Sequence, residues 1–268
     1  MRFLLTNDDG IYARGLGALY RELSKDADCI VVAPEVEQSA VGHAITISRP
    51  LMVRQARKNG QFMGWAVAGT PADCVKIGLR ELSDKPVDLV VSGINLGANV
   101  GINVLYSGTV SAATEGAILG VPSIAISLGT HNRDADYGFA ARFARKVAQF
   151  MLHHNPNRHI PLNVNVPAIP EKDIKGVAVT RQGQARLREE FERRTDPREN
   201  VYYWLAGETQ IVQEEDAGTD FVALRSGMIS ITPIYHDMTR YDVLDELRGK
   251  IGEIKLGQDK GQRTKDKG

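Results

Sequence analysis

Two aspartates, Asp8 and Asp9, stand side by side, directly after a short apolar run and directly before Gly10. Carboxylates about 4 Å apart repel by about 1 kcal/mol in water and about 4 kcal/mol at an effective dielectric of 20, so a half-buried pair calls for a cation. The same stretch, Asn7-Asp8-Asp9-Gly10, equally suits a solvated turn. Three further polar stretches bear on the choice: "PEVEQSAVG" with Ser39, "SGINLGANVG" with Asn95, and "YSGTVSAATEG" with Ser107 and Thr109. Asp8, Asp9, Ser39 and Asn95 offer only oxygen, as carboxylate, hydroxyl and amide carbonyl. That is the ligand set of a hard cation such as Mg²⁺ or Mn²⁺ rather than of zinc. The Ser107 and Thr109 hydroxyls, with the unpaired amides of a helix starting there, form an anion pocket of the kind that holds phosphate, and Gly108 lets the backbone come close. The plain alternative is an ordinary Ser/Thr helix cap. A cation beside such a pocket points to hydrolysis of a phosphate ester, the ion polarising a phosphoryl oxygen and activating a bound water. His43, close to Ser39, could touch substrate or act as an acid, although a loop histidine is more often a bystander.

Short buried strands alternating with helices would bring these stretches together. "RFLLT", "CIVVA", "DLVVSG" and "SIAISL" are continuous apolar runs of the kind that parallel strands covered on both faces show. Helical patterns fall between them, at about 15–25, 110–119 and 137–153, the last with Phe139, Phe143, Val147 and Phe150 at helical spacing as a core face. The alternation predicts right-handed crossovers, a parallel Rossmann-like sheet flanked by helices, and the polar stretches gathered at the carboxyl ends of the strands, where such sheets bind ligands. Residues 45–68 alternate in period two around Asn59-Gly60 and predict a hairpin. Thr70-Pro71-Ala72-Asp73 then supplies an N-cap, a first-turn proline and an acid for a helix through "CVKIGLREL". The division expected is one α/β domain over 1–240, with a core to about 180 and a projecting hairpin over about 181–215, followed by a C-terminal helix and polar tail over 241–268. Tyr202, Tyr203 and Trp204 would leave the hairpin apolar on a monomer, which predicts a subunit contact. The glycine-rich, charged stretch 255–268 reads as disordered.

The chain has 268 residues, enough for a substantial core, and its 33 Lys plus Arg balance 33 Asp plus Glu. No basic field exists to attract duplex nucleic acid or an anionic membrane nonspecifically. Cys29 and Cys74, the two cysteines, have no metal-knuckle spacing and read as buried thiols. No leader pattern and no apolar stretch approaching the roughly 20 residues that span a bilayer is present, which predicts a cytoplasmic protein. Gly15-Leu16-Gly17 is no dinucleotide fingerprint, a P-loop is missing, and Asn7 occupies the place that an aspartyl-phosphate nucleophile would need. The competing class is a nucleotide-binding regulator that senses rather than hydrolyses.

"NDDGI", "APEVEQSAVGHAIT", "AVAGTPADCVKIGL", "SGINLGANVG", "YSGTVSAATEGAILGVPSIAIS", "LNVNVP" and "TDFVALRSGMISITPI", in this order, closely resemble the SurE family over about residues 1–240. The family's usual alanine-proline-glycine after "NDDGI" is here Ala13-Arg14-Gly15. The resemblance implies a metal-dependent phosphatase acting on nucleoside 5′- and 3′-monophosphates, with a β-rich carboxyl-terminal part exchanged in homodimers, often paired as a dimer of dimers. It implies one divalent cation per subunit, Mg²⁺ or Mn²⁺, on Asp8, Asp9, Ser39 and Asn95. Of these, Asp8, Asp9 and Asn95 would be catalytic. Asn7, His43, Asn99, Ser107, Gly108 and Thr109 would lie on the phosphate and substrate side.

Overall fold

A computed structural model of the chain describes residues 1–154, 160–187, 190–206, 209–210 and 217–254. Strand β1 (Arg2–Thr6) runs into helix α1 (Arg14–Leu23) and strand β2 (Asp28–Pro34). A hairpin of β3 (Val53–Lys58) and β4 (Gln61–Val67) leads to α2 (Pro71–Ile77), β5 (Leu89–Leu96), α3 (Gly108–Ile118), β6 (Ser123–Gly129), α4 (Gly138–His154) and β7 (Leu162–Pro167). The remaining elements are β8 (Val177–Val179), β9 (Arg186–Leu187), β10 (Glu190–Thr195), β11 (Val201–Ala206), β12 (Thr209–Gln210), α5 (Asp220–Arg225), β13 (Ile229–Pro233) and α6 (Leu244–Lys250). Nine strands form one sheet in the order β3-β4-β2-β1-β5-β6-β7-β13-β8. It is parallel except where β3 meets β4 and where β13 meets β7.

The apolar runs of β1 and β2 feed both faces of this sheet. Phe3, Leu5 and Val31 join the core under α1 and α4, while Leu4, Ile30 and Val32 join the one under α2. β1 lies between β2, which follows it, and β5, which comes much later, so the chain reverses its direction of travel across the sheet at β1. A parallel sheet opens a crevice at such a reversal, beyond the carboxyl ends of the strands.

Several local expectations need correction. Strand pairing covers 53–67 only; residues 45–52 contain Pro50, which has no amide to give a ladder, and instead Thr46 N donates to Asp73 Oδ1 at 2.9 Å. Asn59 and Gly60 do form the turn, with φ of 52° and 79°. Thr70 and Asp73 make the reciprocal cap of α2, but the helix widens to a π-turn over Gly78–Leu82. There a Cβ on Gly78 would sit 2.4 Å from Leu4 Cδ1. On α4 the buried face is Ala140, Ala141, Ala144, Val147, Ala148 and Met151, whereas Phe139 and Phe143 are half-buried and Phe150 is exposed. Phe139 and Phe143 pack against this core as partly buried rings, and the alanines fill its interior. Cys29 and Cys74 are both free, and burial raises both thiols, Cys29 to about 12.

The expected hairpin is present as β10 and β11, antiparallel from Glu190↔Ala206 to Thr195↔Val201, with every residue exposed. The chain divides into a unit Met1–Tyr235, which holds the sheet, and a second unit beginning at His236, which holds α6. The stretch 255–268 lies outside the described residues. Among those described, no helix is long and apolar enough to cross a membrane.

The sheet's far half is bound to the crevice by one fully buried carboxylate. Asp220 Oδ2 accepts from Gly101 N at 2.9 Å, and Oδ1 accepts from Gly183 N at 3.0 Å. Asp220→Ala strands both amides in the interior, at a cost of roughly 1–3 kcal/mol each. Urea unfolding followed by circular dichroism is expected to show a loss of roughly 2–6 kcal/mol; an unchanged midpoint would contradict this tie.

Candidate active site

The loop after β1 is folded back on itself at Gly10, whose φ of 97° is open chiefly to glycine. Asn7 Nδ2 donates to Gly10 O at 3.0 Å, which aims Asp8 and Asp9 out of the strand end. Asn7 Oδ1 is buried with no partner among the described residues. Asp8 lies against the start of α3. Its Oδ1 accepts from Thr109 Oγ1 at 2.5 Å and its Oδ2 from Thr109 N at 3.0 Å. This approach depends on Gly108, because a Cβ there would stand 2.8 Å from Asp8 Cβ and 3.0 Å from Pro71 Cγ. Ser107 caps the helix, its Oγ accepting from Val110 N at 3.1 Å.

Asn95 reaches the same crevice from β5. The pairing of β5 with β6 shifts register between Ser92 and Asn95, and such irregularities re-aim the side chains beyond them. Asn95 Nδ2 donates to Gly97 O at 2.8 Å, which turns the amide and leaves Oδ1 as its acceptor. Ser39 is exposed and its hydroxyl donates to Glu37 Oε1 at 2.6 Å. It follows Gln38, whose amide donates to Asp8 O at 2.8 Å, so the loop after β2 also passes the strand end.

Charge is unbalanced here. Burial first, then the neighbouring Asp8 and the more distant Glu37, push the Asp9 carboxyl up from 3.8 to about 7, against a hydrogen bond from the Leu96 backbone. Burial also raises Asp8, and Glu37 adds to this, although the two bonds from Thr109 oppose it. Neither carboxylate has a cationic partner among the described residues. No group of three His, Cys, Asp or Glu side chains is arranged to hold a metal among those residues either. A cation would therefore draw on Asp8 and Asp9 together with neutral oxygens, and the donor set fits a hard ion.

Asp8, Asp9, Asn95, Gly108 and Thr109 thus converge. The other expected residues take different places. Ser107 turns its hydroxyl to the helix cap, where Oγ accepts from Val110 N. Asn99 is buried as a scaffold: its amide donates to Asn165 Oδ1 and its Nδ2 to Ser127 Oγ, both at 2.8 Å. His43 docks on α3 at Glu115, with Nε2 2.8 Å from Oε2. Glu37 was not marked by any spacing, yet its charge bears on both aspartates. His131, on the loop after β6, packs its ring against Gly97 beside Asn95, where a Cβ on Gly97 would meet Cε1 at 2.9 Å. Its position at a strand's carboxyl end was the one available signal.

The family model described as "Survival protein SurE" matches residues 3–189. A protein of Syntrophus aciditrophicus (strain SB) named 5′-nucleotidase SurE is 71% identical, over 94% of this chain and 95% of its own length. One of the same name from Syntrophobacter fumaroxidans is 50% identical over 92% of this chain and 98% of its own. The crystal structure of the SurE protein from Aquifex aeolicus superposes with a TM-score of 0.80 at 39% identity, covering 95% of this chain and 100% of that one.

The raised Asp9 carboxyl makes metal-free stability depend on pH. A carboxyl raised on folding gives stability that is complete below the unfolded value near 4 and lost as pH climbs through about 7. In chelator, the melting temperature is expected to fall from pH 5 to pH 8, and Asp9→Asn to flatten that fall and melt higher than wild type at pH 8. A variant that melts lower at pH 8 would show the carboxylate to be structural instead.

Proposed function

The chain belongs to the SurE family, and from that premise we propose that it is a divalent-cation-dependent phosphomonoesterase that hydrolyses nucleoside 5′- and 3′-monophosphates to nucleoside and phosphate. The observation that carries the reading is the pair Asp8 and Asp9 at the sheet's reversal point, Asp8 against the start of α3, without a cationic partner among the described residues. Asp8, Asp9 and Asn95 would hold one Mg²⁺ or Mn²⁺, with Ser39 from the adjoining loop. When bound, such an ion stabilises charge on phosphoryl oxygens and makes water a better nucleophile near neutral pH.

The chain's own groups do the positioning. Thr109 fixes both oxygens of Asp8, so the carboxylate needs no reorganisation as charge develops. Gly108 leaves the helix start bare, and the positive end of α3 favours a phosphate lying there. Asn95 presents its carbonyl because Gly97 holds its amide nitrogen. The names of the relatives from Syntrophus and Syntrophobacter agree with a nucleotide substrate.

Phosphate release from a panel of nucleoside monophosphates is expected to require Mg²⁺ or Mn²⁺ and to stop with chelator. Asp8→Asn is expected to lower kcat by at least about 100-fold, the scale of removing one preorganised electrostatic group, with the circular dichroism spectrum kept. Equal rates with and without metal would end the proposal, and tight nucleotide binding without turnover would favour the regulator.

We also propose that the β10–β11 hairpin is the contact of a homodimer or dimer of dimers. Phe191, Tyr203, Trp204 and Leu205 are each more than half exposed on this single chain, at 66%, 59%, 58% and 53%. Replacing residues 190–206 by a short Gly-Ser turn is expected to reduce the mass found by light scattering to that of a monomer; an unchanged mass refutes the contact.

A further inference from the structure

Helix α3 reads GTVSAATEGAI, and Glu115 is its one ionisable residue. The side chain is 4% exposed, with Lys76 Nζ from α2 at 2.6 Å from Oε1 and His43 Nε2 at 2.8 Å from Oε2. Burial alone would raise this carboxyl, but the hydrogen bonds and charges of His43 and Lys76 reverse that and hold it below its ordinary value. Buried ion pairs add little to stability, because desolvation offsets their attraction and an apolar side chain of equal volume packs as well. What an apolar residue could not supply is a fixed seat for His43.

That seat matters for the segment on which His43 lies. Residues 35–52 form no helix or strand. Backbone bonds hold the segment at Gln38, through Asp8 O at 2.8 Å, and at Gly42, through Tyr106 O at 3.0 Å. Further along, Thr70 Oγ1 donates to Ala44 O at 2.7 Å. Ser39 lies between the first two ties, in a stretch turned tightly by Ala40 and Gly42, both at φ 58°. Each tie is a single backbone bond. The docked His43 side chain follows the second tie directly, so His43 on α3 and the single Gly42 bond together hold the far end of the turn that carries Ser39.

We propose that Glu115 is a positioning residue for the cation site: by seating His43 it pins the 38–43 turn, and with it Ser39, against α3 beside Asp8. The proposal rests on the cation reading above. It is tested on the full chain by titrating Mn²⁺ and following free ion by electron paramagnetic resonance, with kcat/KM for a nucleoside monophosphate alongside. Glu115→Gln keeps the volume, and His43→Asn removes the ring from the other side. Each is expected to weaken Mn²⁺ binding about tenfold or more, as loss of groups that orient metal ligands does, while melting in chelator stays near wild type. The double variant is expected to be no worse than the weaker single one, since both break the same path. Wild-type Mn²⁺ affinity in both folded variants, or additive losses, would overturn the proposal. A wild-type chain that binds no Mn²⁺ would overturn the cation reading and this proposal with it.

Discussion

The contact on which the site depends is the one between Asp8 and the first turn of α3. Two donors of Thr109 meet the two oxygens of one carboxylate, and the helix approaches so closely that position 108 has no room for a side-chain carbon. A carboxylate at the start of a helix is stabilised by about 0.3–1 kcal/mol when exposed and up to about 2 kcal/mol when partly buried. The gain is modest, but the geometry is not negotiable. It sets the distance between β1 and α3, and so the width of the crevice at the reversal point of the sheet.

A second consequence concerns charge. Thr109 offsets part of the burial cost of Asp8, whereas Asp9 has Asp8 and Glu37 near it and mainly a backbone amide in its favour. The crevice is left with more negative charge than its own polar groups neutralise. A proton or a cation relieves that strain. Between the two, a divalent ion draws on both carboxylates and on amide oxygens at once, whereas a proton serves one oxygen. A site built in this way is less stable when empty than when filled, the usual relation between a binding site and the fold that carries it.

Much of this was legible in the residues. Acid pairs ending an apolar run, Asn59-Gly60 between alternating residues, and Thr70 three places before Asp73 are local signals, and local signals survive because neighbours in sequence remain neighbours in space. Ser107 and Thr109 show the limit. Their types mark a helix start that can hold an anion, but Ser107 caps the helix itself and Thr109 bonds Asp8, about a hundred residues upstream, and no spacing encodes that encounter. The stripe of Phe139, Phe143 and Phe150 misleads for a similar reason: helical periodicity identifies an amphipathic helix, but the tertiary packing decides whether rings or alanines face inward. Glu115 was invisible as anything but one acid in a helix of small residues until α2 and the 35–52 loop closed around it.

The motifs "LNVNVP" and "TDFVALR" contribute no side chain to the crevice, yet they hold its shape. Asn163 and Asn165 on β7 both donate to Asn99 O, at 2.8 Å and 3.0 Å, and Asn165 takes the Asn99 amide in return. Asp220 secures Gly101 two residues further on. Asn95 sits just before this clamped stretch and Ser107 just after it, so the loop that joins them cannot drift. Asparagine suits the task because one side chain both gives and accepts within a buried strand, where a charged residue would be costly and an apolar one could not bind a loop backbone. Position in the crevice is thus imposed twice: the start of α3 holds Asp8, and β7 with α5 restrains the loop after β5. Residues distant in sequence therefore shape the crevice as firmly as those that line it.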